Sequence, residues 1–152
     1  MKQRITAVSL ALCFLATAAF AAGPEIGTWK LNESKSQLGG GSKNTKVVYQ
    51  EAGDQWKVTV WSVDPKGNKG KNEWKGKPDG KFYPVTGDAW SDSRSLKKVS
   101  ANTYSLVSKK GGKTVGTGKI VYAKDGKSRT VTVSGTGPDG KKFKSTAFYD
   151  KS

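Results

Sequence analysis

Arg94 and Arg129 have the most to offer chemically, because each keeps step with apolar residues instead of with the lysines: Arg129 with Val131 and Val133, Arg94 with Leu96. A guanidinium on the apolar side of a strand is a fixed cation that holds a carboxylate, sulfate or phosphate through paired N–H donors. The ordinary expectation for each is blander, a rim position with the stem along apolar surface and the head in water. The carboxylates are less telling. Glu51 shares a side with Val47 and Tyr49, and Glu73 stands between Asn72 and Trp74, but neither has a second carboxylate at a spacing suited to acid–base work. Both read as strand-end or surface charges. Beyond its first twenty-one residues the chain has no His, Cys or Met. A general base would have to be a carboxylate, Lys or Tyr, and a transition metal or haem would lack its usual ligands. No catalytic residue, metal-ligating set or cofactor is therefore expected. Gly116-x-Gly118 and the run from Gly39 to Gly41 are not phosphate loops, since no strand-to-helix transition follows them.

The elements that must carry these residues begin after an N-terminal leader. Lys2 and Arg4 make a basic start, Ile5 to Phe20 is mostly apolar, and Ala19-Phe20-Ala21 has the small-x-small pattern of a cleavage site. That run is short of the ~20 apolar residues a membrane span needs, and Gly23-Pro24 follows at once. Residues 1–21 are expected to be a signal peptide and residues 22–152 one domain, a periplasmic or secreted monomer with no transmembrane segment after processing. Cys13 lies between Leu12 and Phe14, without the context of a lipid attachment site, so no thiol survives processing. Losing Lys2 and Arg4 takes the formal charge from +15 to +13.

Short runs of alternating or apolar character recur along the rest, separated by Gly53-Asp54, Pro65-Lys66-Gly67-Asn68, Pro78-Asp79-Gly80, Gly87-Asp88, Ala101-Asn102, Gly111-Gly112, Asp125-Gly126 and Pro138-Asp139-Gly140. Such pairs preset tight turns or tolerate positive φ, and loops this short join antiparallel neighbours. About ten strands are predicted, from Thr28–Leu31 through Gln55–Val63, Phe82–Val85 and Lys113–Ala123 to Lys142–Tyr149. Ser34 to Asn44 is expected to be a flexible connector, and no stretch carries a helical period. The fold class is all-β: one antiparallel up-and-down β-barrel without significant helix, closed because a ten-strand meander would otherwise leave two edges.

Alternation sorts the residues into two sides. One collects Trp29, Leu31, Val47, Tyr49, Trp56, Val58, Val60, Trp74, Phe82, Leu96, Tyr104, Leu106, Val131, Val133, Phe143, Ala147 and Tyr149. The other collects Lys30, Lys46, Lys57, Lys75, Lys97, Lys142 and Lys144, so an aromatic interior beneath a lysine exterior is predicted. Trp61 falls among the lysines.

Gly27-Thr28-Trp29-Lys30-Leu31 resembles the G-x-W opening of the lipocalins and the G-T-W-K opening of the intracellular fatty-acid-binding proteins. Ala147-Phe148-Tyr149-Asp150-Lys151 is similar to the R-x-Y-E-K ending of the latter. The D-G-K turns and Tyr83-Pro84-Val85-Thr86-Gly87 also resemble small exported lipocalin-like proteins of environmental bacteria. The resemblance implies a calycin barrel with an interior ligand. It departs at the carboxylate clamp: Tyr149 stands at the tyrosine position, but Ala147 stands at the last-strand arginine and the earlier arginine falls near Val121. The two short helices that cap the fatty-acid-binding barrel have no counterpart.

Together these features point to a non-catalytic protein that holds a small lipophilic or aromatic molecule inside the barrel, with Tyr49, Trp56, Trp74, Tyr104, Arg129 and Tyr149 as candidate contacts. The alternative partner is an anionic polymer, lipopolysaccharide, acidic polysaccharide or nucleic acid, meeting the lysine exterior, although no nucleic-acid-binding motif is present.

Overall fold

The computed structural model describes residues 23–152, so the expected leader lies outside the described residues. Ten antiparallel strands follow in chain order: β1 (Gly27–Leu31), β2 (Lys43–Ala52), β3 (Gln55–Val63), β4 (Lys69–Gly76), β5 (Asp79–Thr86), β6 (Ser93–Ser100), β7 (Thr103–Lys110), β8 (Lys113–Tyr122), β9 (Ser128–Thr136) and β10 (Lys142–Lys151). Each pairs with its neighbour in sequence, and β1 closes the barrel by pairing with both β2 and β10. This is the predicted up-and-down barrel. Among the described residues no helix is long and apolar enough to cross a membrane.

The connector before β2 is more ordered than its glycines suggest. Asn32 caps a single 3-10 turn over Glu33–Lys35, accepting from the Lys35 backbone N–H at 3.3 Å, and Gln37 bridges to Thr146 on β10. A side-chain cap and one backbone bridge hold the segment in place of a helical period.

Register sets which residues face inward. The buried core holds Trp29, Val47, Tyr49, Val58, Val60, Trp74, Val85, Leu96, Tyr104, Ile120, Tyr122, Ala147 and Tyr149, while Lys30, Lys75, Lys97, Lys142 and Lys144 are exposed. Phe82 corrects the prediction. A register shift between Asp79 and Phe82 leaves Tyr83 and Val85 as the inward pair of β5, and Phe82 stands 41% exposed under the Lys109 ammonium, 3.9 Å from the ring centre. A bulge adds one residue and so reverses the alternation beyond it.

The two ends of the barrel differ. At one, the segment before β1 folds inward: Glu25 is buried, its carbonyl accepts from Trp29 Nε1 at 3.0 Å, and its carboxylate accepts from Tyr104 Oη at 2.5 Å. Trp29 is fully buried there, edge-on to Tyr122 at 5.3 Å, and Tyr104 continues the aromatic packing to Trp56 at 5.6 Å. This is the closed end. At the other, the mouth, the β5–β6 loop (Gly87–Asp92) lays Trp90 across to β9, where Trp90 Nε1 donates to the Thr136 carbonyl at 2.9 Å.

Candidate functional site

Between the closed end and the mouth runs a cavity of about 100 Å³. Its wall is mainly aliphatic, with Tyr49, Trp74 and Tyr149 along it, Trp90 at the mouth and Arg129 toward the closed end. Arg94 and Ser108 add polar groups. Of the six candidate contacts read from the sequence, Tyr49, Trp74, Arg129 and Tyr149 come together on this wall. Trp56 and Tyr104 do not: they pack on each other at the closed end.

Arg129 is the centre of the arrangement and corrects the rim expectation, being only 2% exposed. β9 carries it inward at its second residue, paired with Tyr122 on β8 and Tyr149 on β10. Its guanidinium carbon lies 5.0 Å from the Trp29 ring centre, 4.9 Å from Tyr49 and 4.9 Å from Tyr149. Nη1 donates to Tyr122 Oη at 3.2 Å, and Nε has no hydrogen-bond partner among the protein's groups. Among the described residues no carboxylate reaches ion-pair distance of Arg129. Tyr149 and Tyr122 are held neutral, because burial pushes Tyr149 up to about 12 and Tyr122 higher still. Ring faces offset part of the desolvation cost through cation–π attraction, but a buried cation without a counter-ion still costs several kcal/mol.

Arg94 is the second interior cation. Its side chain is 13% exposed and its Nη2 lies 3.5 Å from Asp88 Oδ2 on the mouth loop, while Nε has no partner. Its backbone carbonyl accepts from Trp74 Nε1 at 2.9 Å, which fixes Trp74 on the wall. In the pairing register Arg94 stands opposite Ser108, and Ser108 opposite Gly116. Ser108 is fully buried with its Oγ unpartnered, and Asn72 Oδ1 on β4 is likewise buried and unpartnered. Buried polar atoms ordinarily find partners, so four such groups in one barrel interior call for explanation.

The resemblance's arginine positions are apolar and geometrically unlike each other. Ala147 is buried, whereas Val121 faces outward at 39% exposure between the inward Ile120 and Tyr122. The interior cations come from β6 and β9 instead. Sequence reading missed Ile120 and Tyr122, although Gly116, Gly118, Ile120 and Tyr122 do alternate; the glycines hide the apolar side. It also missed Glu25, Asp88 and Trp90, which lie outside strands and carry no periodicity.

Comparison with protein-family models and with curated protein sequences returns no match. The protein is defined by its fold as a closed ten-stranded antiparallel up-and-down β-barrel.

Proposed function

We propose that this is an exported, non-catalytic binding protein of calycin type, periplasmic or secreted, that holds a small aromatic or lipophilic molecule carrying an acidic group inside its barrel. The observation that carries the reading is Arg129, a buried guanidinium with an unpartnered Nε on the wall of the cavity. An anionic group beside it supplies the missing charge and acceptor, and the apolar wall takes the rest of the ligand. Size limits the choice. The cavity of about 100 Å³ is smaller than the ~150 Å³ that admits benzene in an engineered core, so even a single ring enters only when Trp90 at the mouth moves aside. The test is a calorimetric titration with benzoate and benzyl alcohol. Benzoate is expected to bind the wild type and to lose at least about tenfold in affinity with Arg129→Met, in line with removal of a charge-assisted hydrogen bond. Equal binding of benzoate by the variant rejects the reading.

One observation favours the cationic exterior as a second reading. Trp61 faces outward, flanked in register by Lys46 and Lys71, with the two ammonium groups 3.8 and 5.9 Å from its ring centre. A surface groove of about 310 Å³ lined by Thr45, Lys46, Trp61, Ser62, Val63, Lys69 and Gly70 lies beside it. Heparin retention that falls steeply with salt and drops with Trp61→Ala supports this surface as a polymer site; retention unaffected by Trp61→Ala rejects it.

A further inference from the structure

The mouth loop is anchored to the strands at its ends and held in the middle through Asp88 and Trp90. At one end Gly87, at φ 78°, sits so close to β4 that a Cβ would lie 2.5 Å from the Lys71 carbonyl oxygen. At the other, the Asp92 backbone bonds to Val85 and Lys109, both at 2.9 Å. Between them, Trp90 rests on β8, where a Cβ on Gly116 would come within 2.5 Å of its ring, and packs edge-on against Phe143 at 5.7 Å. Gly116 is the seat of that ring, since any side chain there would expel it.

Asp88 ties this span together. One carboxylate oxygen accepts from the Trp90 backbone N–H at 3.0 Å; the other accepts from Ser91 Oγ at 2.7 Å and faces Arg94 at 3.5 Å. That ion pair is long, single-contact and shared with Ser91, while Arg94 Nε is buried and unpartnered. A carboxylate in the place of Asp88 engages Nη2 and Nε together, the bidentate pairing that Asp88 does not make.

Resting on the interior-binding reading above, we propose that the Trp90 loop is the door of the cavity and Asp88 its latch: an organic anion reaches Arg94 by displacing Asp88, so the door opens for carboxylates or sulfonates and not for neutral molecules of the same shape. Two features converge on this. The cavity as it stands is too small for an aromatic ring, so Trp90 must withdraw to admit one. The same carboxylate that neutralises Arg94 holds the Trp90 backbone, so ligand charge and door position are linked, and the linkage acts both ways.

The experiment follows the Trp90 indole N–H by nuclear magnetic resonance, with benzoate and benzyl alcohol as probes. Asp88→Asn keeps the shape and the acceptor for the Trp90 N–H but removes the charge. Without any probe, it is expected to speed solvent exchange of the Trp90 indole N–H about tenfold; with the door unlatched, benzyl alcohol, which the wild type does not admit, is expected to bind, and benzoate to bind about tenfold more tightly. Trp90→Ala is expected to raise benzoate association and dissociation rates together. Unchanged indole exchange in Asp88→Asn overturns the latch, and unchanged benzoate rates in Trp90→Ala overturn the door, provided the wild type binds benzoate. If neither the wild type nor Trp90→Ala binds either probe, the interior-binding reading itself falls, and the door with it.

Discussion

The two ends of this barrel are built from the same aromatic and charged residue types and arrive at opposite properties. At the closed end every ring is packed against another and the single carboxylate is engaged: Glu25 accepts from Tyr104, its carbonyl accepts from Trp29, and Trp29 is fully buried. At the mouth, the Trp90 indole makes one hydrogen bond, to Thr136, and packs on Phe143, Asp88 is stretched to Arg94, and Gly116 leaves room for the Trp90 ring that a side chain would take. Satisfied polar groups under dense aromatic packing make a rigid floor, whereas at the mouth one carboxylate is shared among Trp90, Ser91 and Arg94 and Arg94 keeps an unpartnered donor. The difference teaches that, in this barrel without capping helices, Glu25, Trp29 and Tyr104 at one end have their polar groups engaged and Arg94 at the other does not.

The sharpest way to break the comparison is to cut into each end. Trp29→Ala is expected to cost about 3–5 kcal/mol, as truncation of a fully buried aromatic does, read as a lowered midpoint in urea unfolding. Glu25→Ala leaves the Tyr104 hydroxyl without its acceptor and is expected to cost about 1–3 kcal/mol by the same measurement. Alkaline titration sharpens the contrast further. Burial, then the Glu25 hydrogen bond, raise Tyr104 above its ordinary value of 10.0, and burial raises Tyr149 to about 12. Their folded values exceed the unfolded ones, so the stability they confer is complete below pH 10 and drains away as the pH climbs toward 12 and beyond. Phenolate absorbance should therefore rise together with loss of near-ultraviolet dichroism; early ionisation of all the tyrosines with the fold intact would put these rings in water. Trp90→Ala is expected to cost only about 1 kcal/mol, the middle of the range for a point change, and a loss as large as that of Trp29→Ala would erase the distinction between the ends.

Much of the barrel was legible because its turns announce themselves: Gly53, Gly67, Gly80, Gly111, Gly112, Gly126 and Gly140 all take the positive φ that the turn pairs imply. The interior was legible wherever strict alternation held, as with Val47 and Tyr49 or Ala147 and Tyr149. It failed at β5, where a register shift turned Phe82 outward, and at β8, where glycines masked an inward side ending in Tyr122. The candidate site was half legible for a related reason. Arg129 keeps step with its strand and so could be read, but whether such a cation reaches the interior or the rim depends on the closure of β8, β9 and β10 around it. Asp88 and Trp90 owe their positions to a loop folding over the mouth, which no period encodes.

Residues 22–152 hold only two arginines, Arg94 and Arg129, so in the protein freed of residues 1–21 a nitrogen-15 spectrum of guanidinium Nε–H groups contains two signals, both from the cavity wall. Titrating benzoate into the labelled protein while watching that pair tests interior anion binding most directly. At least one of the two signals is expected to shift saturably as its unpartnered Nε–H gains an acceptor from the benzoate carboxylate. Two arginine signals that stay still, while backbone signals around the outward Trp61 and Lys46 move, would contradict the account and place the anion on the outside of the barrel.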